Sequence, residues 1–324
     1  MSRRIFAAAT LAGLLFAAPL LEAQLPRPLG PRPENGLRIA PFFDGWFENP
    51  DGTVSFAFGY SNLNKDAVHI PIGPDNSITP KEYDGHQPTW FEPVGPAPAR
   101  TGGRGAGAAG AAAAAGAADP AAAAGGGRGG GGGGDNNYER ERGAFTVTVP
   151  KTFKGDVVWT LKYQGQTWSI PGRSKSGAYQ LSWPMAMGST PPLLRFQPNG
   201  PGGRGPMGMQ GPQLQAKVGT PLDLTVWLTD DAKHEPEPIP VKRELVPSMN
   251  VTWIKHAGPA AAVTFSTPKD GVTDPQGKAT TKATFNEPGE YTLRVRADTF
   301  GNTDSSFADQ CCWTNGYWKI AVTR

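Results

Sequence analysis

The chain has 324 residues, a formal net charge of +3, and 10% aromatic residues, with nine Trp among them. Its 43 Gly and 33 Pro are close to a quarter of the sequence, about twice average usage, which excludes a helical bundle. The small charge argues against a nucleic-acid or anionic-membrane partner, and the aromatic content against a wholly disordered chain.

Residues 1–23 read as a signal peptide. Arg3 and Arg4 form a basic start, Phe6 to Leu21 is apolar and Ala-rich, and Leu21-Glu22-Ala23 before Gln24 partly fits small-x-small cleavage. Ser2-Arg3-Arg4-Ile5-Phe6 also resembles the twin-arginine export motif, so two export routes stay open. The run falls short of the roughly 20 apolar residues of a membrane-spanning helix, and no other long apolar run follows. The expectation is a soluble chain, periplasmic or extracellular, that does not span a membrane after signal removal.

The first domain is expected at 36–195. Val54, Phe56, Phe58 and Tyr60 alternate with small residues, after a turn at Asn49-Pro50-Asp51-Gly52 and a partner strand at Phe42–Phe47. Thr101–Gly134 holds 15 Gly and 14 Ala without apolar periodicity, and reads as a disordered Gly/Ala-rich insert. Beyond it, Phe145, Val147 and Val149 alternate again, as do Val157, Trp159, Leu161 and Tyr163. Gln164-Gly165 offers a hairpin turn into Thr167–Ile170, and Tyr179, Leu181 and Trp183 suggest one more strand. Pro198–Pro212 carries Gly at every third position and reads as a Gly/Pro linker (198–212) between domains.

The second domain is expected at 214–324. Leu222 to Leu228, Ala279 to Phe285, Tyr291 to Ala297 and Trp318 to Val322 each alternate, with shorter strands at Val251–Ile254 and Val263–Phe265. Six or seven strands in this length is the size of an immunoglobulin-like sandwich. Within it, Phe285-Asn286-Glu287-Pro288-Gly289-Glu290-Tyr291-Thr292-Leu293-Arg294-Val295 resembles the Phe-x-x-Pro-Gly-x-Tyr-x-Leu-x-Val stretch of bacterial PKD-like and related immunoglobulin-like modules. The resemblance implies a tyrosine corner at Tyr291 and a non-catalytic spacer or binding unit of a surface protein. It implies no ligand. The chain as a whole resembles secreted bacterial proteins without a known activity, which transfers no function.

Cys311 and Cys312 are the only cysteines and are adjacent. Neighbouring Cα atoms lie about 3.8 Å apart, below the usual disulfide span of about 4.4–6.8 Å. Three readings stand: a strained vicinal disulfide, two small buried hydrophobes, or a soft metal or inter-chain site. The pair sits in the long segment Asp298–Gly316 between the last two strands, with Phe300, Phe307 and Trp313. Either these aromatics present a ligand-binding loop for a sugar or peptide, or Phe307 and Trp313 cap the core.

Enzyme signatures fail. Ser266-Thr267-Pro268-Lys269 fits Ser-x-x-Lys, but between strands and with a Pro inside. His234-Glu235 precedes Pro-Glu-Pro, and His69, His86, His234 and His256 lack ligand spacing and read as surface or strand-end residues. Asp44, Glu48, Asp51, Asp75 and Asp84 read as scattered turn acids, and no calcium loop is present. No catalytic residue, cofactor or metal is expected. The sequence thus points to an all-β chain of two immunoglobulin-like β-sandwich domains. Its expected role is non-catalytic, structural or binding, at the bacterial cell envelope, with an envelope glycan or protein as partner. The alternative is a periplasmic redox accessory or enzyme using Cys311 and Cys312.

Overall fold

Period-two alternation becomes sheet in both halves of the chain. A computed structural model describes residues 38–94, 140–173, 179–181, 190–233, 249–299 and 312–324. The first half forms β1 (Ile39–Glu48), β2 (Val54–Asn62), β3 (Val68–His69), β4 (Asn76–Thr79), β5 (Trp90–Phe91), β6 (Glu141–Val149), β7 (Val157–Tyr163) and β8 (Gln166–Gly172). Sheet β1-β2-β6 packs on sheet β4-β7-β8, and β3 pairs with β5 as a short ribbon. Bulky aromatics on the inward positions fill the space between. Phe58 stacks on Phe145 at 5.2 Å, and Trp159 meets Phe145 edge-on at 4.8 Å. Trp159 also donates its indole N–H to Asn76 Oδ1 at 3.0 Å, which satisfies the one polar atom that this ring buries. The β7–β8 hairpin turns at Gln164 and Gly165, both with positive φ, the mirror-image turn that suits strand twist.

The second half forms β9 (Leu193–Arg195), β10 (Gly202–Gly203), β11 (Met209–Gln210), β12 (Leu214–Lys217), β13 (Leu222–Thr229), β14 (Asn250–Ala257), β15 (Val263–Phe265), β16 (Lys269–Gly271), β17 (Lys278–Phe285), β18 (Gly289–Asp298) and β19 (Trp313–Thr323). One sheet runs β10-β9-β13-β17-β15, and the facing one runs β11-β19-β18-β14-β16, with β12 parallel to β19. The central strands β13-β17 facing β19-β18-β14 give the immunoglobulin-like arrangement. Trp253 stacks on Trp318 at 5.8 Å in its core. At the turn into β18, the Tyr291 hydroxyl donates to the Glu287 carbonyl at 2.9 Å, so the tyrosine corner that the motif implies is formed.

The Gly/Pro stretch departs from expectation. It is no free connector. Gly202 and Gly203 pair with β9, and Met209 and Gln210 pair in parallel with Gly316 and Tyr317. Its glycines let the backbone lie close against the sheet: a Cβ on Gly208 would sit 2.8 Å from the Asn315 carbonyl. β9 likewise pairs with β13 and belongs to the C-terminal sheet, although sequence alone assigned it to the first domain. All strands of both sandwiches belong to one compact unit, Glu34–Arg324. The Gly/Ala insert lies outside the described residues.

Candidate functional site

The two sandwiches meet along a polar seam. β18 alternates core residues (Leu293, Val295, Ala297) with an outer row of Thr292, Arg294, Arg296 and Asp298. Arg294, Arg296 and Asp298 of that row are buried too, because β6 of the first sandwich lies across them, while Thr292 stays half-buried. Arg294, 1% exposed, donates to the Gly143 carbonyl at 2.6 Å and pairs with Glu141. Arg296 donates to Glu141 at 2.7 Å and to Asp298 at 3.0 Å. Burial by itself would depress the Arg296 guanidinium, but Glu141 and Asp298 reverse that and hold it above its ordinary value. Two buried guanidinium groups thus face two carboxylates, which compensates charges that would be costly alone.

Gly143 is the hinge point of this contact. Its φ of +58° belongs to the left-handed region. Its N–H donates to Asp44 Oδ2 at 2.7 Å, and its carbonyl also accepts from Asn315 Nδ2 at 2.9 Å. A Cβ here would meet Trp313 Nε1 at 2.1 Å, so only glycine fits.

A second set of contacts closes the other end. His256 Nε2 bonds the His86 carbonyl at 3.1 Å, the Thr89 N–H donates to the His256 carbonyl, and the His256 ring meets Tyr317 edge-on at 5.4 Å. Burial, with Arg294 nearby, pushes His256 down to about 3, so the ring is neutral at physiological pH. The Lys255 ammonium sits 3.8 Å over the Trp90 ring and donates to the Ala261 carbonyl at 2.8 Å and to the Pro259 carbonyl. Burial lowers it to about 8, against the pull of Glu287 and Glu92.

Between these contacts the sandwiches part and leave a cleft of about 730 Å³. Phe145 to Thr148 of β6 form one wall, and Thr292, Tyr317 and Lys319 of the C-terminal sheet form the other. Ile72 and Met207, 41% and 46% exposed, also line it; these are the exposed large hydrophobic side chains among the described residues. The lining contains no Asp or Glu and one Lys.

The residues singled out from sequence fall elsewhere. Trp313 pairs with Asp298 at the root of the last hairpin and is completely buried against Gly143. It presents no face to a ligand, because the edge of the first sandwich covers it. Phe300, Phe307 and Cys311 lie outside the described residues. Cys312 is wholly buried and disulfide-bonded, and its carbonyl accepts the Thr299 N–H at 3.2 Å. Asp44 and His256, read as a turn acid and a surface or strand-end residue, are both buried at the seam. Their partners, Gly143 in β6 and His86 in the loop before β5, lie about 100 and 170 residues away, which no local pattern shows. Sequence reading also missed Glu141, Arg294 and Arg296. The one available signal was two arginines at i and i+2 on a strand whose opposite face is core.

No protein-family model and no curated protein matches the sequence. Among solved structures, the chain is similar to domains 4 and 5 of the S-layer protein SbsC (14% identity, 55% of this chain and 70% of that one, TM-score 0.22). It spans only 17% of a longer structure of the same S-layer protein. It is also similar to the D0-D1 domain of intimin (10% identity, 88% and 97%, TM-score 0.22) and to the titin Ig tandem A164-A165 (10% identity, 89% and 99%, TM-score 0.21). At such values these likenesses carry no argument about what this chain does. Among the described residues no helix is long and apolar enough to cross a membrane.

Proposed function

We propose that the protein is exported and serves as a non-catalytic structural or partner-binding module at the bacterial cell envelope. The observation that carries this reading is the seam. The ionisable side chains brought together there are committed to holding one sandwich on the other: Arg294 and Arg296 to Glu141 and to β6 carbonyls, Lys255 to the Trp90 ring, His256 to the His86 carbonyl. Such an arrangement fixes the cleft between the sandwiches as a preformed concave surface, the kind of place where ligands bind. The signal-like residues 1–23 and the disulfide at Cys312 support an oxidising compartment outside the cytoplasm. Within the immunoglobulin-like class, we read the C-terminal sandwich as a PKD-like module, a reading that the corner bond from Tyr291 to Glu287 supports.

Expression of the full chain in a bacterial host, followed by fractionation and protease treatment of intact cells and spheroplasts, tests the location. Recovery of uncleaved chain in the cytoplasm alone would sink the envelope role. Small-angle scattering of the purified chain tests the seam: one fixed envelope is expected for the native chain, and a broader one for Arg294→Ala.

A further inference from the structure

β6 is the outer strand of its sheet, and only part of its free edge is used. In an antiparallel ladder the backbone groups of alternate residues point away from the partner strand. Ala144 sets the phase, because its carbonyl faces the Tyr317 hydroxyl across the seam at 3.5 Å. The Ser55–Thr148 hydroxyl contact at 2.8 Å agrees, since side chains approach most closely at pairs that do not exchange backbone hydrogen bonds. Thr146 and Thr148 therefore turn their N–H and C=O groups away from β2, on the cleft side of the strand. Among the described residues nothing bonds these groups. Upstream on the same edge, the carbonyls of Arg142, Gly143 and Ala144 are all taken by side chains of the C-terminal sheet. The seam thus caps one half of the edge and leaves the other half open inside a cleft, beside exposed Ile72 and Met207.

An unpaired strand edge is a template for another extended chain, and proteins normally blunt it. Here the opposite wall shields it from large sheets, across a cleft of about 730 Å³. We propose that this cleft captures an extended polypeptide segment by strand addition to β6, with backbone bonds to Thr146 and Thr148. Alternate apolar side chains of the segment lie on Ile72 and Met207. Since the lining carries Lys319 and no carboxylate, an acidic residue of the segment faces Lys319. The inference rests on the binding role proposed above and names its ligand class.

The test uses the purified full chain and an end-capped octapeptide that alternates valine and threonine and carries one aspartate. Its twin is N-methylated at alternate amides, which keeps the side chains and removes the donors. Titration calorimetry is expected to give micromolar binding for the first peptide and at least tenfold weaker binding for the twin. Thr146→Pro removes only an outward N–H, and Met207→Glu alters an exposed side chain; each is expected to weaken binding at least tenfold. Hydrogen exchange at Thr146 and Thr148 is expected to slow on binding. Equal affinity for the methylated twin, no binding at millimolar peptide, or a glycan array that responds at this cleft while the peptide does not would each overturn the proposal. So would concentration-dependent self-association that excludes the peptide. Should Thr146→Pro fail to fold, the twin and Met207→Glu still decide. Because the assay runs on purified protein, its failure leaves the cellular location untouched, and a cytoplasmic location leaves the peptide result standing.

Discussion

The sandwich cores and the seam between them are buried to the same depth but built from opposite chemistry. The first core is a stack of aromatic rings around Trp159, and the second is aliphatic with Trp253 on Trp318. Neither needs a specific long-range partner beyond shape, so non-directional apolar burial assembles it. The seam is made of Arg294, Arg296, Glu141 and Asn315, each bonded to a particular atom of the other sandwich, with Asp44 and Asp298 bracing their partners from within their own sandwich. Apolar cores make each sandwich fold. The charged seam selects one arrangement of the two, since a misplaced partner leaves a buried ion uncompensated.

The largest expected effect that separates these regions is Arg294→Ala. It takes from Glu141 one of its two guanidinium partners and from the Gly143 carbonyl one of its two donors, and should cost about 3–5 kcal/mol in chemical denaturation, the range for breaking a buried ion pair. A loss below about 1 kcal/mol would mean that water already relieves the seam. Gly143→Ala comes next. Left-handed backbone strain plus the collision with Trp313 predicts a loss of about 2–4 kcal/mol, with fluorescence showing a more exposed tryptophan.

Acid should open the seam before the cores. His256 has a folded-state value near 3, below its unfolded value of 6.5, so its contribution is complete above pH 6.5 and is lost as pH falls towards 3. Thermal midpoints should fall over that window in the native chain and less steeply in His256→Phe. Equal slopes for both would remove His256 as the cause. Within the second sandwich, Tyr291→Phe deletes one corner hydrogen bond and should cost about 1 kcal/mol without changing the seam's pH response. The smallest effect is expected at the surface. Lys282→Ala breaks the exposed pair with Asp223 and should shift stability by less than about 1 kcal/mol, a shift that added salt abolishes.

The comparison also separates what was legible in the chain. A strand such as Lys278–Phe285 shows in the sequence because a half-buried strand must alternate, and Val54–Asn62, buried on both faces, shows by its alternation of large with small residues; both patterns lie within a few residues. The corner at Tyr291 shows because its bond spans four residues. The Gly/Pro stretch misleads for the same local reason. Its composition matches a linker, and only pairing with neighbouring β9 and with β19, far along the chain, turns it into sheet edge. Trp313 misleads in another way: an aromatic in a long loop suits exposure equally well until a strand from the other sandwich covers it.

By itself, then, the sequence determined the all-β class, the position of most strands and the immunoglobulin-like corner, since these depend on neighbours along the chain. Tertiary structure alone decided which polar residues would be buried, that Arg294 and Glu141 would meet across 153 residues, and that half of the β6 edge would stay open. The physical reason is that apolar burial is paid for locally by alternation, whereas the pairing of a desolvated charge depends on an atom that only the folded chain brings near.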